Sequence, residues 1–105
     1  SIAMSITSVD EGTPITANKL AVLRNPFDRA LDLRLELVRP EAVRLTVYDV
    51  HGRQVLERDY GIRSGSSRLT WDGRDRRGET VRAGVYWAVV RAGNREWKRQ
   101  VVRIR

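Results

Sequence analysis

Leu31, Leu33, Leu35 and Leu37 alternate with Asp32, Arg34, Glu36 and Val38. On a helix, residues two apart lie on nearly opposite sides, so leucines at this spacing could not share one core-facing stripe. On a strand they all point to the same face, and the polar residues between them face water. The pattern recurs. Val43, Leu45 and Val47 alternate with Arg44, Thr46 and Tyr48. Pro40 lies between the two runs and reads as the stop of the first strand. "DVHGRQV", Asp49 to Val55, sets His51-Gly52 between two strand-like runs, a hairpin turn in which glycine can take a positive φ. Val55 to Tyr60 continues as the return strand. Gly61 to Ser67 reads as a Gly/Ser loop, and Arg68 to Trp71 as a short strand. Gly84 to Val90 reads as an apolar strand covered on both faces. Gly93-Asn94 marks another tight turn, and Trp97 to Arg105 a last strand on which Val102 and Ile104 share a face. With Leu20 to Arg24 this makes about seven strands, with turn signals every 8 to 12 residues and no helical segment. The predicted fold is all-β: an immunoglobulin-like antiparallel β-sandwich of about seven strands. A small closed barrel is the alternative.

A chain of 105 residues is one domain's worth, large enough to bury a core without staples. It has no cysteine, which excludes disulfides, thiolate metal sites and a cysteine nucleophile. No apolar run approaches the roughly 20 residues of a membrane-spanning helix. Ser1 to Ser5 lack the basic start and apolar centre of a signal peptide, and Ser1 is not an initiator methionine. The chain therefore reads as a piece of something longer. Residues 1–19 form a polar lead-in, with "SIAM" at 1–4 read as a cloning remnant, and residues 20–105 form the domain.

The formal net charge is +7, carried by 18 arginines and two lysines, Lys19 and Lys98. A basic surface points to an anionic partner: nucleic acid, an acidic glycan or lipopolysaccharide, or an acidic protein face. The arginines are spread along the chain rather than clustered, which favours a compositional bias over a specific anionic partner. One local excess exists: Arg91 to Arg105 holds five arginines and Lys98 against Glu96 alone. Nucleic acid is disfavoured, since charge without a recognition motif supplies only non-specific, salt-sensitive affinity.

"TWDGRDRRGETVRAGVYWAVV", Thr70 to Val90, packs charges into the connection between two strands. Asp72-Gly73 and Arg77-Gly78 are turn pairs. Asp72 and Asp75 are placed to accept hydrogen bonds from backbone N–H groups ahead of them. Asp72, Gly73, Asp75 and Gly78 are thus expected to structure the turn while Trp71 fills the core beneath it. Calcium is the rival reading, with oxygens from Asp72, Asp75 and Glu79. The spacing does not match the alternating acids and fixed glutamate of a calcium loop, and Arg74, Arg76, Arg77 and Arg82 would oppose a divalent cation. No metal or other cofactor is expected.

Four stretches occur in one order: "NPF" at Asn25 to Phe27, "VRLTVYDVHGRQV" from Val43 to Val55, "TWDGRDRRGETVRAGVYWAVVRAG" from Thr70 to Gly93, and a basic final strand. Together they resemble the type A C-terminal sorting domain of type IX secretion cargo, a family related to the FlgD-type immunoglobulin-like domain of flagellar hook-capping proteins. The likeness covers about Leu20 to Arg105. It departs after "NPF", where the family usually continues with Asn-Pro and a run of serine and threonine. Here Asp28-Arg29-Ala30-Leu31 follows.

The resemblance implies a non-catalytic address tag on a larger protein, exported through the periplasm to the cell surface or beyond. The type IX translocon would recognise the tag. A sortase-like peptidase would cut upstream of Leu20 and join the cargo to an anionic lipopolysaccharide. The recognition signal would map onto the chain's end: Lys98, Arg99, Val101, Val102, Arg103, Ile104 and Arg105. A terminal strand can offer its edge for pairing, and its outward basic residues can meet an acidic surface. The same residues are equally the last strand of a sandwich.

Two other classes stay open. Trp87, Trp97, Tyr86 and Tyr60 could form an aromatic platform for sugars, with Trp87 and Trp97 facing each other across the last hairpin. A structural immunoglobulin-like module is the third reading. His51 is the only histidine, and Ser64, Ser66 and Ser67 have no acid–base pair near them in sequence. No nucleophile elbow, phosphate loop or carboxylate pair is present, so an enzyme is not expected.

Overall fold

The computed structural model describes Ile15 and residues 17–104; nearly all of the lead-in, with the expected remnant at 1–4, and Arg105 lie outside the described residues. Five strands follow one another: β1 (Lys19–Val22), β2 (Leu31–Tyr48), β3 (Gln54–Trp71), β4 (Gly84–Ala92) and β5 (Arg95–Arg103). All pairings between them are antiparallel. The strand order is β1-β2-β4-β5, with β3 also pairing with β2.

The expected seven segments are present, but four are fused into two 18-residue strands. Pro40 does not end a strand. It sits where the β2–β3 register jumps from Leu37↔Gly65 to Glu41↔Arg63, so Val38, Arg39 and Pro40 bulge opposite Ser64. A proline has no N–H to offer a ladder, and a bulge asks for none. The displaced Val38 N–H donates to Asn18 Oδ1 at 2.8 Å. Gly61 to Ser67 is likewise strand rather than loop. Tyr60 is an extra residue between Val43↔Gly61 and Arg44↔Asp59, and Gly61 takes φ 73° at this second bulge.

These irregularities fold the long ribbon over. The Tyr60 hydroxyl and Arg58 Nη1 both donate to Thr70 O, at 3.0 and 3.4 Å. Ten residues of straight strand would span about 33 Å, so β3 must double back. The first half of β2 lies between β1 and the second half of β3. The second half of β2 lies between β4 and the first half of β3. One curled sheet thus supplies two facing layers, the immunoglobulin-like arrangement with continuous strands at its bend.

The alternating residues meet between the layers. Leu31, Leu33, Leu35, Leu37, Val43, Leu45 and Val47 of β2 join Leu69, Trp71, Tyr86, Ala88, Val90 and Val101 in one core. Each such aliphatic side chain contributes about 1.5–3 kcal/mol on burial. Trp71 is fully buried, with ring centroids of Phe27 and Tyr86 each 5.6 Å from its own. β4 is covered on both faces at Val89, which is 5% exposed although it points away from the core.

Candidate interaction surface

Asn25 to Phe27 decides how the last strand is presented. Phe27 N–H donates to Val102 O and accepts from Ile104 N–H through its own carbonyl, each at 2.9 Å. Asn25 extends this short parallel seam with its side chain: Oδ1 accepts from Val102 N–H at 2.9 Å, and Nδ2 donates to Gln100 O at 3.3 Å. The outer edge of β5 is therefore already paired from Gln100 to Ile104, while the Phe27 ring plugs the core beneath. From Gln100 to Ile104, then, the terminal strand has no edge left to offer for pairing. The "NPF" triplet is visible in the sequence, but nothing local says that its asparagine side chain will pair with the edge of a strand 75 residues away.

The seven residues of the terminal segment fall into separate environments. Val101 is fully buried in the core. The Arg99 guanidinium donates to Leu20 O at 3.3 Å, tying β5 to β1 across the open side of the molecule. Arg103 turns back under the Trp71–Gly84 connection: its Nη1 donates to Val81 O at 3.0 Å, and its Nε lies buried beside Gly73. Ile104 is 53% exposed, Lys98 is exposed and Val102 is half-buried. Arg105 lies outside the described residues. The apolar inward residue of this strand is thus Val101, not the Val102/Ile104 face, because Tyr86↔Val101 is the inward pair of the β4–β5 register. Lys98, Val102 and Ile104 are the members of the set left facing outward.

The charged connection closes on itself. Asp72 Oδ1 accepts from Arg74 N–H at 3.1 Å. Asp75 Oδ1 accepts from Arg77 N–H at 2.9 Å and Glu79 N–H at 3.0 Å. Trp71 Nε1 donates to Arg74 O at 2.9 Å, so the buried indole holds the turn above it. Gly73 has φ 75°, which favours glycine, and a Cβ there would come within 3.1 Å of Arg103 Nε and press on that side chain. Gly78 has φ 86° in open space. Among the described residues, no group of three or more His, Cys, Asp or Glu side chains is placed to hold a metal ion, and no helix is long and apolar enough to cross a membrane.

The hairpin turn uses the same bonds. Asp49 Oδ1 accepts from His51 N–H at 2.9 Å and Arg53 N–H at 3.0 Å, while Gly52 with φ 81° completes the reversal. The Arg53 N–H bond, the His51 N–H bond and the Arg53 charge outweigh desolvation and hold the Asp49 carboxyl below its ordinary value. Burial raises the Tyr60 and Tyr86 phenols, which stay protonated and donate to Thr70 O and Arg82 O.

The two tryptophans do not face each other. Trp87 pairs with Gln100 on the outward face, whereas Trp97 pairs with Val90 and packs against the core. Each carries a cation over its ring, Lys98 on Trp87 at 5.7 Å and Arg95 on Trp97 at 5.4 Å. The outward aromatic neighbour of Trp87 is Tyr48, directly across the β2–β4 ladder. Sequence reasoning missed this pair because cross-strand partners 39 residues apart are set by the sheet order, not by a local turn.

The comparisons agree with this architecture. The FlgD Ig-like domain pattern matches residues 28–96. The structure of FlgD from P. aeruginosa is similar, at a TM-score of 0.57 and 24% identity, over 79% of this chain and 66% of that one. Dimeric latent PorU from Porphyromonas gingivalis is similar at a TM-score of 0.65 and 16% identity, over 86% of this chain and 10% of that one. At these identities both likenesses speak to the fold alone. No curated protein matches the chain. With more than half of its residues matched by the pattern, the chain belongs to the FlgD Ig-like domain family.

Proposed function

We propose that this domain is a non-catalytic sorting module of a larger exported protein, read by a type IX translocon and handled by a sortase-like peptidase that transfers the cargo to an anionic surface lipopolysaccharide. The observation that carries the reading is the resemblance of the "YD-x-x-GR" hairpin and the "WDG-x-D-x-x-G…GVY" connection to that family of sorting domains. The fold's recurrence as a tenth of the PorU chain, one module within a much longer protein, supports it. The exported destination is the cell surface or the surroundings. The fold works here as a rigid mount for the outward residues of β5, and Lys98, Val102 and Ile104 make the contact through side chains, since Asn25–Phe27 already pairs with the edge.

The test is a reporter fused ahead of residues 1–105, expressed in a bacterium with the type IX apparatus. Removing Val101 to Arg105 would also remove a core residue and confuse recognition with unfolding. Lys98→Glu with Ile104→Asp changes exposed side chains only. The double variant is expected to keep its melting temperature and to leave the reporter in the periplasm. Normal export of that variant overturns the reading.

A further inference from the structure

The two aspartate turns are the same object built twice. In each, the aspartate N–H donates to the carbonyl four residues on, Asp49 to Arg53 at 2.9 Å and Asp75 to Glu79 at 2.8 Å. In each, the glycine N–H returns to the aspartate carbonyl, Gly52 to Asp49 at 3.0 Å and Gly78 to Asp75 at 2.9 Å. In each, one carboxylate oxygen accepts the N–H groups of the second and fourth following residues. The sequences D-x-x-G at 49–52 and 75–78 lie 26 residues apart, yet the fold brings both turns to one end of the molecule, where Arg76 N–H donates to Val55 O at 3.2 Å. Between them is a cleft of about 580 Å³, lined by Asp49, Arg53, Gln54 and Val55 on one side and by Asp75, Arg76, Arg77 and Val81 on the other, with Tyr86 between.

The charges in this cleft are not equivalent. Asp49 is occupied by two amides and by Arg53 Nε at 3.3 Å. Asp75 Oδ1 is occupied by two amides. Backbone N–H groups aimed at a carboxylate offset much of its negative potential. Among the described residues, neither Arg76 nor Arg77 is in an ion pair, and both are exposed. Arg76 and Arg77 therefore bring two guanidinium groups outside any ion pair to a cleft in which Arg53 is held by Asp49 and one oxygen of Asp75 is already occupied. Guanidinium binds phosphate or carboxylate through paired N–H donors.

We propose that this cleft binds an anionic saccharide unit, a sugar ring carrying a phosphate or a carboxylate. Arg76 and Arg77 take the anionic group. The Gln54 amide and the second oxygen of Asp75 take ring hydroxyls, which a bare anion would not use. Val55 and Val81 offer the small apolar wall on which the C–H face of a pyranose rests. The volume lies within the range of small-ligand sites and exceeds what one inorganic anion fills. The site is separate from the β5 surface, so it stands or falls independently of sorting.

The test uses residues 1–105 titrated with glucose 6-phosphate, glucuronate, glucose and inorganic phosphate, following the arginine Nε–H signals by NMR. At least one of the two anionic sugars is expected to bind, moving the Arg76 and Arg77 signals and not those of Arg34 and Arg39. Glucose 6-phosphate alone names the phosphate source, glucuronate alone the carboxylate, and both the shared oxyanion. Inorganic phosphate should bind the site at least about tenfold more weakly than the anionic sugar, and glucose still more weakly. Arg76→Gln with Arg77→Gln should weaken binding at least about tenfold at unchanged melting temperature, with Arg34→Gln and Arg39→Gln as the charge-matched control. The proposal is overturned if neither anionic sugar binds, if inorganic phosphate binds as tightly as the sugars, or if the control pair costs as much as the Arg76/Arg77 pair.

Discussion

The Asp49–Arg53 turn and the Asp75–Glu79 turn have the same sequence grammar and the same hydrogen bonds, but they do different work. The first reverses the chain between β2 and β3, strands whose ladder runs up to Tyr48↔Gln54 at the tip, with Val55 an extra residue just before it. The second sits within the crossing from β3 in one layer to β4 in the other, and no ladder runs alongside it except the single Arg74↔Thr80 bridge. What holds the second turn is beneath it: the Trp71 indole donating to Arg74 O, and Arg103 donating to Val81 O. A local motif thus fixes the shape of a turn, while its surroundings decide how much of the fold depends on it.

The contrast can be broken most forcefully at Trp71. Trp71→Ala removes the largest fully buried side chain and the anchor of the second turn, and should cost about 3–5 kcal/mol in chemical denaturation. His51→Ala, a change at the exposed tip of the first turn, should stay within about 0.5 kcal/mol. Equal losses would mean that the two turns do not differ in the way described. Trp71→Phe separates packing from anchoring, because it keeps a ring in the core but leaves Arg74 O without its indole donor. A loss of about 1–2 kcal/mol is expected, with faster amide exchange at Arg77 and Glu79.

A smaller effect sharpens the comparison within the motif itself. Asp75→Ala deletes two hydrogen bonds in a segment with no long ladder beside it and should cost about 1 kcal/mol. Asp49→Ala deletes the matching bonds where β2 and β3 hold the strands regardless. There, lost exchange protection should be confined to residues 49–54, with a smaller change in global stability than at Asp75. A larger global loss for Asp49→Ala would reverse the assignment.

The smallest expected effect is in pH. The Asp49 carboxyl is held below its ordinary value of 3.8. A folded-state value lower than the unfolded one stabilises the protein above the unfolded value, and that contribution is lost as pH falls through the folded value. Denaturation midpoints should therefore fall as pH drops below the ordinary carboxyl value of 3.8, and Asp49→Asn should flatten part of that slope. An unchanged slope in the variant would remove Asp49 from the acid response.

Much of the layer structure was legible in the sequence, because strand periodicity is a local property. The leucines from Leu31 to Leu37 all reach the core, as do Val43, Leu45 and Val47. Two breaks were misread for an equally local reason. Pro40 and the Gly61–Ser67 stretch carry the composition of chain ends and loops, yet each lies opposite the other in one ladder, and a paired bulge lets both strands bend without stopping. The terminal segment was harder to read. Its residues alternate simply, but which face of β5 is inward follows from its register with β4, and which edge is covered follows from Asn25 and Phe27.

The sequence by itself determined that this chain is built of strands, where its glycine-marked turns lie and which side of each β2 half is apolar, because side-chain alternation and positive-φ glycines act within a few residues. Only the tertiary structure decided that β3 doubles back, that Arg99 and Arg103 tie the last strand to β1 and the charged connection, that Trp87 and Trp97 occupy opposite faces, and that two distant D-x-x-G turns share one cleft. Those outcomes depend on contacts between residues far apart in the chain, where bulges and register, not local preference, set which groups meet.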